Sequence, residues 1–293
     1  MSFGLTHEED EERLTYGGYL KVRELTALQG LLSDPPQHDE TLFIIIHQVF
    51  ELWFKQLLHE LDTIIERLNR DETLAAHRLL RRCIEIERVL VNQVGVLETM
   101  TPMDFLAFRD HLRPASGFQS SQFREIETVS GLKDRRYLKS YQPGSDEYAR
   151  IERRLGRPSL GDAFYELLRR RGFDLPAGGG HGDGARDVQR EQRVRELMRV
   201  YQEADQHYDL FLLAESLIEY DEMFTLWRQR HVKMVERMIG GKTGTGGSDG
   251  AAYLMKTIER SFFPELWELR NYLGNPGGGC PVSGDTGSAE DAK

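Results

Sequence analysis

Two histidines fall on stretches that read as buried. His47 has Phe43 four residues before it, Phe50 three after and Phe54 seven after, a spacing that stacks all four on one helical face. His231 has Phe224 and Trp227 behind it and Met234, Val235 and Met238 ahead, again on one stripe. Each imidazole is thus set in an aromatic or sulfur-rich surface. The plain alternative for either is a core histidine satisfied by a nearby carbonyl. Two of them in one helical chain also suit an aromatic-walled haem pocket, where one ring ligates iron and the other lines the opposite face.

Arg109 is the third group. It stands one turn after Phe105 on a segment whose other residues face a core. A guanidinium held there needs an anion, and a carboxylate gripped by two parallel N–H groups is its best geometric match. A structural salt bridge to one of many acidic residues is the alternative.

Other chemistries fail on spacing. Gly241-Lys242-Thr243 resembles the end of a P-loop, but the required upstream glycine falls at Glu236, and a helix rather than a strand precedes it. None of the nine histidines has a glutamate three residues earlier, which excludes the paired motifs of a di-iron bundle. His-Glu-x-x-His and Cys-x-x-Cys-His are absent, so zincin and covalent c-type haem readings fail too.

The elements that must carry these residues are helical. From Asp39 to about Asn69, apolar residues recur at three- and four-residue steps, with Pro35-Pro36 blocking extension backwards and Asp39 expected as N-cap. A second long helix is expected from about Glu72 to Met100. Thr101 then caps a third, with Pro102 in its first turn and Asp104 beside the dipole. Pro114-Ala115-Ser116-Gly117 reads as a turn before a short helix through Phe123 and Ile126. Residues 141–184 read as broken, ending in a glycine-rich loop at 177–184. From about Arg186 to Ile239 neither proline nor glycine occurs, which predicts two stacked or kinked helices. A loop at 241–250 precedes a short helix through Tyr253, Leu254 and Ile258. The expected organisation is a polar tail at 1–13, one all-α domain at 14–273 and a Gly/Pro-rich tail at 274–293. Antiparallel helices should surround a buried site.

The N-terminal stretch Leu14-Thr15-Tyr16-Gly17-Gly18-Tyr19-Leu20 is too apolar for a free tail. Its paired glycines are expected to interrupt regular structure, and it should dock on its own core or on a neighbouring subunit.

The 293 residues carry 48 acidic and 38 basic side chains, a formal net charge of -10, whose field repels phosphate backbones and makes nucleic acid an unsuitable partner. Arg169-Arg170-Arg171 reads as a solvated helix end. Two cysteines, Cys83 and Cys280, give no disulfide framework and fit a reducing compartment. The acidic start lacks a signal peptide's basic and apolar regions, and no apolar run approaches the ~20 residues needed to cross a bilayer. The expectation is a cytoplasmic protein without a membrane partner.

Several motifs together resemble the tryptophan 2,3-dioxygenase family. They include residues 14–20, His38-Asp39-Glu40, Glu51-Leu52-Trp53-Phe54-Lys55, Leu97-Glu98-Thr99-Met100-Thr101-Pro102, Phe108-Arg109, Ser116-Gly117-Phe118-Gln119-Ser120, Leu226-Trp227-Arg228-x-Arg230-His231, Gly244-Thr245-Gly246-Gly247-Ser248 and Phe262-Phe263-Pro264-Glu265-Leu266. They follow the family's order from about residue 14 to 270. The stretch 141–200 resembles it least.

The resemblance implies b-type haem with His231 as iron ligand and His47 on the opposite side near the indole N–H. It implies Arg109 on the substrate carboxylate, Thr245 at the ammonium and carboxylate groups, Phe43 walling the indole, and Ser116 and Gly117 at the haem edge. It implies a homotetramer in which Tyr16, Tyr19 and Leu20 complete a neighbour's site. The implied reaction cleaves the indole C2–C3 bond of L-tryptophan with O2 to give N-formyl-L-kynurenine. Phe105 stands where some members of the family have a tyrosine, and Asp249 and Ala252 follow the Thr245 loop where a serine and, in some members, a histidine are expected. These departures leave a relative acting on a modified tryptophan or another indole as the alternative, with a non-catalytic haem-binding sensor beyond it.

Overall fold

A computed structural model of the chain describes residues 14–176, 183–242 and 251–274, apart from the side chains of 183–186, 251–253 and 256. Among the described residues every regular element is helical. The all-α class read from periodicity is the observed one.

Two one-turn helices, α1 (Tyr16–Leu20) and α2 (Val22–Leu25), precede the body. Gly17 and Gly18 lie inside α1 rather than breaking it, because the Thr15 side chain accepts a hydrogen bond from the Gly18 N–H and starts the turn. The long helix α3 (His38–Asn69) follows. Its N-cap is Gln37, not Asp39, which sits in the first turn beside the helix dipole. Glu40 ties down the approach: its carboxylate accepts from the Leu32 N–H at 2.7 Å, from the Ser33 N–H at 3.0 Å and from the Ser33 hydroxyl.

Helix α3 turns back at Arg70–Glu72 into α4 (Thr73–Leu97). Leu57, Leu61, Ile64 and Leu68 share one stripe of α3 and are fully buried, meeting Leu80 and Ile84 of α4 in one continuous core. Each such side chain stabilises the fold by roughly 1.5–3 kcal/mol. By length and composition α3 is long and apolar enough to cross a membrane, against the expectation that no apolar run is. Within the fold it packs on α4 and on helices that follow later in the chain.

Helix α5 (Pro102–Arg109) begins at a capping box in which the Thr101 hydroxyl accepts from the Asp104 N–H and the Asp104 carboxylate accepts from the Thr101 N–H. A 3₁₀ turn and the loop through Ser116 lead to α6 (Ser121–Ser130). The region expected to be broken contains two capped helices, α7 (Asp146–Leu155) and α8 (Leu160–Arg170), started by Ser145 and Ser159. The arginine run at the end of α8 is not simply solvated. Arg170 donates to the Leu68 carbonyl, and Arg171 bridges Asp71 at the α3–α4 turn and Asp209.

Helix α9 (Asp183–Gln202) stops at 203–207, and α10 (Tyr208–Ile239) runs back along α4, the two helices that 186–239 predicts. Helices α11 (Ala251–Ile258) and α12 (Pro264–Glu268) close over α10. Asp221 of α10 fixes that closure by accepting the Phe262 and Phe263 N–H groups and the Trp267 indole N–H.

Candidate active site: an aromatic cavity between α3, α5, α6 and α10

Helices α3 and α10 bring their histidines to one cavity. The wall from α3 carries Phe43, His47, Phe50 and Phe54, and the wall from α10 carries Trp227, His231, Val235 and Met238. Helix α5 adds Phe105 and Arg109, the following loop adds Ser116, Gly117 and Ser120, and α6 adds Phe123, Arg124 and Glu127. The space within the cavity and at its mouth amounts to about 1540 Å³.

One end of the cavity is a box of rings. Phe43 lies 4.1 Å from the His47 ring, 5.7 Å from Phe105 and 5.6 Å from Phe108, centroid to centroid. The His47 Nδ1 is 2.7 Å from the Phe43 carbonyl oxygen, so Nδ1–H is the donor and Nε2 remains as an acceptor. Burial lowers the His47 pKa from its ordinary value, against the opposing pull of that carbonyl and of Glu51. The ring is neutral at pH 7.

His231 is set differently. Its ring lies parallel to Trp227, one turn earlier, with 5.3 Å between centroids and 1° between planes. Burial pushes its pKa down to about 4, and the nearby His47 adds to the shift. A neutral imidazole is the form that can coordinate a metal.

Arg109 is 6% exposed at the end of α5 and borders the same cavity. A guanidinium at this cavity carries the planar fork that matches a carboxylate. Ser116 begins a 3₁₀ turn, its hydroxyl accepting from the Phe118 N–H at 3.4 Å while its own N–H donates to the Gln119 side chain. A Cβ added to Gly117 would meet nothing within 4 Å, so the chamber is open at that residue.

The structure therefore brings together Phe43, His47, Arg109, Ser116, Gly117 and His231. Tyr16, Tyr19 and Leu20 are not part of this chamber, and stand 79%, 71% and 45% exposed. Of the two docking places expected for that segment, the chain's own core is not used. Thr245 and Asp249 lie outside the described residues.

Sequence reasoning missed a buried ionic group at the cavity wall. Arg124 donates to Glu127 at 2.6 Å, and Arg228 donates to Glu127 at 3.0 Å and to the Arg260 carbonyl at 2.7 Å. All three side chains are nearly excluded from water. Their signal was available: Arg228 falls one residue after Trp227 in a stretch already assigned to a pocket.

A haem group asks for a neutral imidazole, wide apolar walls and hydrogen-bond donors for its two carboxylates. The chamber offers His231, its phenylalanine walls and the Arg228 Nε–H, which is buried without an acceptor among the described residues. One more donor fits this demand: the Trp227 indole N–H is buried at the cavity without an acceptor among the described residues. Three-residue clusters of His, Cys, Asp or Glu able to hold a bare metal ion are absent among the described residues. The donor set fits a porphyrin-bound metal with one protein ligand.

The family model for tryptophan 2,3-dioxygenase matches residues 2–171 and 183–273. The match continues through 141–171, where the motifs are sparse, and its only break is 172–182. A tryptophan 2,3-dioxygenase of Nocardioides sp. is 46% identical over 278 residues, covering 93% of this chain and 98% of the relative. One of Herpetosiphon aurantiacus is 47% identical over 260 residues, covering 88% and 98%. One of Bacillus thuringiensis subsp. konkukian is 40% identical over 268 residues, covering 91% and 95%. With the family model and full-length relatives agreeing, this chain belongs to the tryptophan 2,3-dioxygenase family.

Proposed function

We propose that this protein is a haem-dependent oxidoreductase that opens the indole ring of L-tryptophan with O2, breaking the C2–C3 bond to give N-formyl-L-kynurenine. Both oxygen atoms enter the product, so the reaction balances without an external reductant. The observation that supports it most directly is the pairing of two neutral histidines across one aromatic chamber that also holds a buried arginine, in a chain of this family.

His231 would hold the iron of haem b, with Ser116 and Gly117 beside the haem edge. Bound haem supplies the dioxygen chemistry. The chain's own residues bind, orient and exclude water. Phe43 and Phe105, stacked on each other at 5.7 Å, form one aromatic wall against which a planar indole would pack. The His47 Nε2, left as an acceptor by the bond from Nδ1 to the Phe43 carbonyl, suits an indole N–H. Arg109 would grip the substrate carboxylate, fixing the amino-acid end while the ring end is walled. Thr245 would add a hydroxyl at the same end.

The exposed aromatic segment at Tyr16, Tyr19 and Leu20 would complete the chamber of a neighbouring copy, in a homotetramer working in the cytoplasm. The reading in which the protein acts on a different indole is not favoured by the three relatives described above, each of which carries the name tryptophan 2,3-dioxygenase.

The deciding experiment is reduction under anaerobic conditions with L-tryptophan present, followed by isotopically labelled O2 and mass analysis. Two labelled atoms in N-formyl-L-kynurenine are expected. Unchanged tryptophan, with ferrous haem bound, would overturn the activity while leaving haem binding intact.

A further inference from the structure

A histidine that binds a metal is ordinarily oriented by its second ring nitrogen, which donates to a carboxylate, a carbonyl or water. His231 has no such partner: neither ring nitrogen makes a hydrogen bond among the described residues. What it has is Trp227. The two rings, one helical turn apart, are parallel within 1° at 5.3 Å.

The tryptophan is itself held from several sides. Phe50 and Phe54 meet it edge-on at 79° and 83°, and Phe123 lies 5.2 Å away. Phe224, one residue short of a turn earlier on α10, packs at 6.1 Å. These rings come from α3, α6 and α10, so rotating the indole would disturb three helices. Its N–H is the one polar atom of the ring, and it is buried at the cavity with no acceptor among the described residues. A buried donor left unmatched costs about 1–3 kcal/mol. That cost is relieved when a bound group brings an acceptor.

We infer that Trp227 is the positioning residue of the haem site: its clamped ring fixes the plane of the His231 imidazole, and its indole N–H donates to an acceptor brought in with the bound haem. This rests on His231 being the iron ligand. The residue touches no reacting atom, and it acts through the imidazole. On a helix, the alternatives for His231 χ2 are broad and roughly two-fold, so a neighbouring plane is an effective way to select one of them.

The test uses the full-length haem protein and three forms: wild type, Trp227→Phe and Trp227→Leu. Phe keeps a flat ring and removes the N–H; Leu removes both. Two readouts are taken: the iron–histidine stretching band of the ferrous protein, and the rate of haem transfer to excess apomyoglobin. Wild type is expected to give one narrow band. Trp227→Phe should keep it narrow and release haem faster, and Trp227→Leu should broaden or split it and weaken haem retention by about tenfold to a hundredfold.

A band unchanged in width and position in both variants, with wild-type haem release, would overturn the inference. If Trp227→Leu fails to fold, Trp227→Phe decides through haem release, because only the N–H differs in hydrogen bonding; wild-type retention there overturns the donor role, and a broad or multiple band in wild type overturns the fixed plane. Absence of any iron–histidine band in haem-loaded wild type would instead refute His231 as ligand, a distinct failure.

Discussion

The Nδ1 of His47 lies 2.7 Å from the carbonyl oxygen of Phe43, one turn behind it on the same helix. The bond does two things. It anchors the imidazole against the Phe43 ring, 4.1 Å away, and it assigns the proton of the neutral ring to Nδ1. The nitrogen left over accepts.

His47→Ala should therefore retain haem at wild-type stoichiometry, since His231 is untouched, and lose one neutral hydrogen bond to the substrate. Such a bond is worth about 0.5–1.5 kcal/mol, or roughly twofold to tenfold in affinity. An analogue with the indole nitrogen methylated should lose a comparable amount in wild type and nothing further in His47→Ala. Additive losses in that double-mutant cycle would show that the two groups do not meet.

Arg109 makes a sharper prediction because it is buried. Arg109→Ala should weaken L-tryptophan binding by ~2–5 kcal/mol, the range for truncating one member of a desolvated charge pair. Arg109→Lys keeps the charge but not the planar fork, and should recover only part of the loss. Tryptamine, which lacks the carboxylate, should bind equally to wild type and Arg109→Ala in a direct titration. A tryptamine loss as large as that of tryptophan would mean that Arg109 supports the wall rather than the ligand.

For His231 the prediction concerns pH. Its folded pKa is pushed from 6.5 to about 4, so between those values an unfolded chain takes up a proton that the folded chain does not. The stability linked to this residue is full above pH 6.5 and lost as pH falls toward 4. Apoprotein urea midpoints at pH 7.5 and pH 5 should show a smaller acid loss in His231→Leu than in wild type. The same neutrality means that haem binding at pH 6 should release no proton from this ring, in contrast to a ligand titrating near 6.5. His231→Ala should bind no haem stably.

How much of this was visible in the sequence varies by residue type. The aromatic faces around His47 and His231 were legible because an apolar stripe with a three- and four-residue step has one structural meaning. Thr101 was legible as a cap because Pro102 and Asp104 reinforce it. Helices α7 and α8 were not, since their surfaces are rich in arginine and each follows a proline that reads as a break. Their starts were still written in the chain, as Ser145 before Asp146-Glu147 and as the Ser159–Asp162 capping box. Asp39 misled because several cap-competent residues cluster there, and the fixed approach through Glu40 and Ser33 puts Gln37 at the boundary instead. The cluster of Arg124, Glu127 and Arg228 was hidden for a deeper reason. Charged residues on a helix usually face water, and only tertiary packing shows that these three satisfy one another in the interior.

Glu87 gives the last prediction. Its side chain is 1% exposed on α4, and both carboxyl oxygens are buried without a hydrogen-bond donor among the described residues. Burial raises its pKa well above the usual carboxylate value, and Asp221 raises it further, while Arg228 pulls the other way. The folded protein thus holds Glu87 protonated where the unfolded chain would ionise it. As pH rises above about 4.5, the unfolded state sheds a proton that the folded state keeps, so stability linked to this group falls with rising pH. Glu87→Gln mimics the protonated acid in shape and cannot ionise. Its urea midpoint should match wild type well below pH 4.5, where Glu87 is protonated in both the folded and the unfolded chain, and exceed it increasingly toward pH 8. A midpoint lower than wild type at pH 8 would mean that Glu87 is ionised in the fold and held by Arg228, making the pair a structural ion bridge between α4 and α10.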